Sequence, residues 1–244
     1  MRAVLSWAFL WIVACRAGAF GQPQAQQQEL SAAQILAKAL EVYASTPTYS
    51  AEWSYTMERS RSEARATVTI QAKGGRMLLF HVARSSSKVQ DEELPELKVV
   101  VDGKSAVFQN ATARIWYRVP LPADARITPL MFLPQVPTAR GVNRGPDITE
   151  GRTRCYTVWG TSPDGAVTRM VVDAKTFRIR TIVNEVVIGL DKVTSTLAVV
   201  KEEFGKDLAD ALFEAKVPPG FKEIPAPSEA KALFGVADAK PVKP

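Results

Sequence analysis

The side chains able to break bonds are few in this 244-residue chain, and their spacing brings no pair of them together. His81 is the single histidine and falls inside an apolar run, RMLLFHVA at residues 76–83. One imidazole does not make a zinc site, and no carboxylate cluster stands near it in sequence to supply the missing ligands. The acidic runs Asp91-Glu92-Glu93 and Glu202-Glu203 are contiguous. In extended chain such neighbours project to alternate faces, so they do not converge on one bond as a general acid and base must. Asp102 and Asp173 stand at strand ends before turns, where a carboxylate accepts backbone N–H groups. No Gly-x-Ser-x-Gly elbow, phosphate-binding glycine loop or Cys/His metal spacing occurs. Cys155 sits in a Cys-Tyr-Thr-Val-Trp strand pattern and reads as a buried, inert thiol. The expectation is no enzyme, no metal and no cofactor.

Cys15 has a different chemistry open to it. Arg2 gives a positive start, and residues 3–14 (AVLSWAFLWIVA) form an apolar run of signal-peptide length, too short to span a bilayer. Ala17-Gly18-Ala19 fits an ordinary signal-peptidase site, which would release a soluble periplasmic chain at Phe20. Ile12-Val13-Ala14-Cys15 fits a lipobox, in which Cys15 would be lipidated and would anchor the chain in the outer membrane. A buried N-terminal helix is the bland alternative. Loss of residues 1–19 removes Arg2 and Arg16, so 31 basic residues fall to 29 against 25 acidic, a net charge of +4. That charge is spread along the chain with no dense Lys/Arg block, which argues against nucleic acid as a partner.

The elements that must position these residues are mostly strands. Residues 20–30 are a Gln-rich spacer. Ser31 and Gln34 have capping-box spacing, and Ile35, Leu36, Ala39, Leu40 and Tyr43 follow at helical spacing. Thr46-Pro47 ends that helix. From Tyr49 to Glu58 apolar and polar residues alternate without a miss, the period of a half-buried strand. Ala66, Val68, Ile70 and Ala72 continue the pattern, and Gly74-Gly75 offers a turn. Further strands are expected at 76–83, 97–101, 106–109, 113–119, 155–160, 167–172, 178–188 and 193–204. About ten strands with short turns predict an antiparallel meander in chain order. Residues 127–132, flanked by prolines, are expected to form a short helix, and residues 140–154 a loop. Residues 207–212 read as one helical turn, 213–221 as an extended piece, and 228–233 as a frayed helix inside a Pro/Ala/Lys tail from 225 to 244.

The surplus apolar residues have two readings. Trp53, Tyr55, Met57, Val68, Ile70, Leu78, Phe80, Ile115 and Tyr117, with Leu130 to Leu133, either fill a solid core or line a large apolar cavity.

The order of elements carries a resemblance. A leader, one amphipathic helix, strands with Val101-Asp102-Gly103-Lys104 before an aromatic strand, a proline-flanked insertion, then Phe213 and Pro218-Pro219-Gly220 together resemble the LolA/LolB-like superfamily of periplasmic lipoprotein carriers and outer-membrane lipoprotein receptors. The similarity runs over residues 31–224. It implies a mainly β (α+β) fold, an open antiparallel half-barrel of about eleven strands with a helical lid on its concave face. It also implies a non-catalytic carrier, a monomer that binds acyl chains of lipoproteins or other lipids and docks on inner- and outer-membrane sorting proteins. Ile127, Leu130, Met131 and Phe132 would be the lid. The family's lid-latching arginine and proline are replaced by Gly74 and Gly75, and its following aromatic by Leu78; Arg76 stands nearby. A sensor or protein-interaction module on the same fold is the rival, and an envelope hydrolase using His81 a second one.

Overall fold

The computed structural model of the protein describes residues 29–59, 62–87, 96–137 and 141–236. The described residues from Ser31 onward form one compact unit; the expected leader with Cys15, the acidic run at 91–93 and residues 237–244 lie outside the described residues. Helix α1 (Ala32–Ala44) begins where the sequence places it. Ser31 Oγ accepts from the Gln34 backbone N–H at 3.2 Å, and Gln34 Oε1 accepts from the Ser31 N–H at 2.9 Å. Both halves of the capping box are therefore made. Its buried face is Ile35, Leu36, Ala39 and Tyr43.

A first run of strands comprises β1 (Thr48–Arg59), β2 (Ser62–Lys73), β3 (Met77–Ser87), β4 (Leu97–Asp102), β5 (Ser105–Asn110) and β6 (Ile115–Pro120). A second comprises β7 (Val142–Arg144), β8 (Ile148–Glu150), β9 (Thr153–Thr161), β10 (Val167–Asp173), β11 (Ile179–Ile188) and β12 (Asp191–Phe204). The chain ends with a 3₁₀ turn (Asp210–Phe213), β13 (Lys222–Glu223) and α2 (Ser228–Ala232). Among the described residues these make one open sheet of thirteen strands, ordered β13-β6-β5-β4-β3-β2-β1-β12-β11-β10-β9-β7 with β8 on β9. All pairs are antiparallel except β13 on β6.

That order corrects the expected meander. β1 pairs with β2 on one side and with β12 on the other, so two meanders fuse along β1. Tyr49 and Trp53 on β1 have no solvent exposure, as suits a central strand. The fusion leaves β6 and β7 near opposite ends of the sheet. The connection between them has to cross a face.

Directly paired residues of an antiparallel sheet share a face. One row runs Ala51, Ile70, Phe80, Val99, Phe108, Tyr117 from β1 to β6. Another runs Tyr55, Leu197, Ile182, Met170, Val158 from β1 to β9. Both lie on the inner face, the side that also carries Trp53. On the outer face Val100 and Val107 are fully buried. The segment bearing Leu208 and Phe213, itself buried, lies there. Lys73 Nζ donates to the Leu208 carbonyl at 2.7 Å and Gln109 Nε2 to that of Lys216 at 3.1 Å.

Two further expectations are corrected. Residues 127–133 form no helix; they make two turns, with the Met131 N–H on the Thr128 carbonyl at 3.2 Å and the Leu133 N–H on that of Leu130 at 2.9 Å. Pro129 and Pro134 bias Thr128 and Leu133 away from helical angles, and the four residues between them are too few to nucleate a helix. Residues 140–154 hold β7 and β8 instead of a bare loop. The helix expected at 228–233 is present as α2, and Ala230 and Phe234 are buried.

Candidate functional site

The crossing connection is a strap over the inner face. At its root the Leu121 N–H donates to the Lys104 carbonyl at 2.8 Å and the Ile127 N–H to that of Gly75 at 2.9 Å. Arg76 reinforces this root: Nη1 donates to the Ala123 carbonyl at 3.0 Å and Nη2 to that of Gly103 at 2.5 Å. Gly74 and Gly75, at φ +64° and +66°, form the turn that aims Arg76 there; such angles favour glycine. Further along, Gln135 Nε2 donates to the carbonyls of Leu130 and Leu133 at 2.8 and 3.0 Å, holding the turns. Ile127, Leu130, Leu133 and Val136 are buried beneath the strap. At its far end the strap rests on Gly160 of β9, where a Cβ would sit 2.0 Å from the Pro137 carbonyl oxygen.

Phe132 is the strap's aromatic anchor. Its ring lies 5.2 Å from Phe80, 6.0 Å from Phe108 and 6.4 Å from Phe234. Tyr117 stacks on Phe108 at 4.8 Å and extends the cluster to β6. Edge and offset contacts at these separations are the ones aromatic rings favour.

Between strap and sheet lies a cavity of about 410 Å³, the size of a small-molecule site. Its floor is Tyr55, Val68, Phe80, Val82, Leu97 and Leu197, from β1, β2, β3, β4 and β12. Phe132, Leu133 and Pro134 form the roof, and Asn184 and Ser195 one side. Among the described residues the lining carries no carboxylate, ammonium, guanidinium or imidazole. Its polar groups form one row: Tyr55 Oη and Ser195 Oγ are 3.2 Å apart, and Thr168 Oγ1 donates to Asn184 Oδ1 at 3.0 Å.

Helix α1 covers the other end of the same face. Tyr43 and Tyr49 each donate to Glu202 Oε1 at 3.0 Å, and the Ile179 N–H donates to the Tyr43 hydroxyl oxygen at 2.9 Å. Burial, then the Glu202 charge, pushes the Tyr43 hydroxyl far above the ordinary tyrosine range. Tyr49 moves the same way through burial, Tyr43 and Glu202. Burial also raises Glu202, against the two tyrosine hydrogen bonds and the positive Arg178 and Arg180. The Arg178 guanidinium sits 4.2 Å from the Phe204 ring centre. A second hollow of about 420 Å³ nearby is polar and of mixed sign, with Arg178, Arg180 and Lys201 facing Glu150 and Glu202.

The residues expected to line a cavity divide. Tyr55, Val68, Phe80 and Phe132 line it. Trp53, Ile70 and Leu78 are wholly buried core. Met57, Ile115 and Tyr117 are half-buried and lie away from the cavity, while Ile127, Leu130 and Met131 belong to the strap without lining it. Val82, Leu97, Asn184, Ser195 and Leu197 were missed as lining. The legible signal was a polar residue breaking an apolar inner-face pattern, Ile182-x-Asn184-x-Val186 and Val193-x-Ser195-x-Leu197.

The reactive side chains lie elsewhere. His81 pairs with Thr69 and Lys98 on the outer face, its Nε2 3.6 Å from Glu96 Oε1. Cys155 is buried, and burial followed by the Glu150 and Asp173 charges pushes its thiol up. Asp102 Oδ1 accepts the Lys104 and Ser105 N–H groups at 2.8 and 2.7 Å. Partial burial opposes ionisation, yet these donors hold that carboxyl below its usual range. Asp173 caps Lys175 and Thr176 in the same way, at 2.9 Å each. Among the described residues no three His, Cys, Asp or Glu side chains gather to hold a metal, and no helix is long and apolar enough to cross a membrane.

No family model and no curated protein matches the chain. Solved structures do. An uncharacterized conserved protein from Thermus thermophilus is similar over 80% of this chain and 99% of its own, at 16% identity and TM-score 0.50. LolA superfamily protein NE2245 from Nitrosomonas europaea is similar over 77% of this chain and 99% of its own, at 12% identity and TM-score 0.39. The Pseudomonas aeruginosa MucA/MucB complex contains a chain similar over 76% of this one and 61% of its own, at 13% identity and TM-score 0.43. An open, mostly antiparallel sheet is what the sequence resemblance implies; among the described residues it has thirteen strands where about eleven were expected, and a strap without a helix where a helical lid was expected. The chain shares its fold with the Thermus thermophilus protein.

Proposed function

We propose that this chain is an exported, non-catalytic carrier that shelters acyl chains of lipoproteins or other lipids in the cavity beneath its strap. One observation carries the reading: a cavity of about 410 Å³ walled mainly by aliphatic and aromatic side chains, with no charged group or imidazole among its described lining residues. Each methylene moved from water into such a space is worth about 0.8 kcal/mol, so affinity needs no covalent chemistry. The leader expected at residues 1–19 directs the chain to the periplasm, with an outer-membrane anchor at Cys15 as the alternative. Docking on inner- and outer-membrane sorting proteins completes the carrier reading.

The test is Phe132→Glu, which puts a charge under the strap. It is expected to weaken binding of an apolar fluorescent dye at least tenfold while circular dichroism stays that of the wild type; undiminished dye binding refutes the reading. A sensor or protein-interaction module is the second reading. It is favoured by the β11–β12 hairpin tip, where Val187, Ile188 and Leu190 are 71%, 55% and 104% exposed. Clustered apolar tips of this kind mark contact surfaces. Mass spectrometry of protein purified from the periplasm separates the two: co-purifying lipid supports the carrier, and a ligand-free protein that refuses dye supports the sensor.

A further inference from the structure

The cavity is apolar except along one line. Ser195 on β12, Asn184 on β11 and Thr168 on β10 are directly paired across adjacent strands, so their side chains share the inner face. Tyr55, on β1, closes the row through its contact with Ser195. Strands are depleted in asparagine, and the inner-face neighbours here are Ile182, Val186, Val193 and Leu197. A polar row in such a stripe costs stability unless its hydrogen bonds are made.

They are only partly made. The Thr168 hydroxyl is spent on Asn184 Oδ1, which fixes the amide plane. Among the described residues nothing accepts from Asn184 Nδ2. Between the Ser195 and Tyr55 hydroxyls one proton serves their mutual contact, and the other is left to donate. Asn184, Ser195 and Tyr55 all border the cavity. The site therefore presents spare donors at one end of an apolar space.

We propose that the cavity takes an acyl chain bearing a neutral ester or amide carbonyl, and that Asn184 and the Ser195–Tyr55 pair bind that carbonyl oxygen. This names the ligand class of the site described above and rests on that reading. A carbonyl oxygen has two lone pairs and no proton to give, which matches a site of spare donors. A free carboxylate does not match. It would be stripped of water with no cation among the described lining residues to meet it. Lys192, on the same strand as Ser195, is paired with Glu185 at 3.1 Å. Thr168 acts as a positioning residue, holding the amide so that Nδ2 faces the guest.

The experiment displaces a bound apolar dye from the purified chain with three guests of equal length: hexadecane, methyl palmitate, and palmitate at mildly alkaline pH. In the wild type, methyl palmitate is expected to compete about tenfold better than hexadecane, and palmitate worse than its ester. Asn184→Leu is expected to abolish the preference for the ester while leaving competition by hexadecane as it was. Equal competition by ester and hexadecane in the wild type would overturn the carbonyl site yet leave the sheltering cavity intact. Palmitate outcompeting its ester would also overturn it. Failure of the dye to bind at all would overturn the carrier reading, and the carbonyl site with it. The wild-type comparison needs no variant, so poor folding of Asn184→Leu leaves it decisive.

Discussion

Glu202 shows how a carboxylate can be structural in a protein of this kind. It is the shared acceptor for Tyr43 of α1 and Tyr49 of β1, so one side chain ties the helix to the sheet. Because burial raises its carboxyl above the ordinary value near 4.5, the folded state holds its proton more tightly than the unfolded one. Its contribution to stability is fully present below that ordinary value and is lost as pH rises through the raised one. Thermal melts should therefore show Tm falling across mildly acidic pH, and Glu202→Gln should flatten that fall while keeping the acceptor oxygen. Glu202→Ala should instead cost about 2 kcal/mol in urea unfolding, since two buried hydroxyls lose their partner. Gly160 gives a second expectation. A methyl placed 2.0 Å from the Pro137 carbonyl oxygen has to move the strap. Gly160→Ala should cost about 1–3 kcal/mol by the same measurement, although glycine inside a strand is ordinarily improved by alanine.

At the scale of elements, the alternation from Tyr49 to Glu58 and the box at Ser31 and Gln34 were legible because local chemistry dictates both. Which strand lies beside β1 was not legible. β2 and β12 are both amphipathic, and period-two patterning carries no label for a partner some 140 residues away in sequence. The strap misled for a local reason: its apolar residues suit a helix, but Pro129 and Pro134 divide them. The carbonyl row was invisible for a third reason, since Ser195, Asn184 and Thr168 become neighbours only once register is fixed. Arg76 could be seen in the sequence, but its two carbonyl partners at Gly103 and Ala123 could not. Arg76→Ala removes both bonds and should loosen the strap root. Amide exchange at Ile127, whose N–H rests on Gly75, is expected to speed up roughly tenfold while exchange in β9 and β10 stays the same.

For the whole molecule the decisive pairing is β1 with β12, the seam that joins the two runs of strands. Until β12 is made, β1 presents an open edge with Tyr49 and Trp53 beside it, and such edges recruit other chains. A chain stopped at residue 190 should therefore collect in the insoluble fraction on expression to a greater extent than the full chain. A soluble monomer of that length would mean that the chain folds without the β1–β12 seam.

The strap is fastened near both margins of the sheet, to Lys104 and Gly75 on one side and against Gly160 on the other. A tether held at two ends bows but does not swing aside like a door. On the proposed carrier reading, hydrocarbon would then slide in lengthwise past the uncovered rim, tail foremost, and withdraw by the same route. Residence time should accordingly lengthen with each added carbon of the guest.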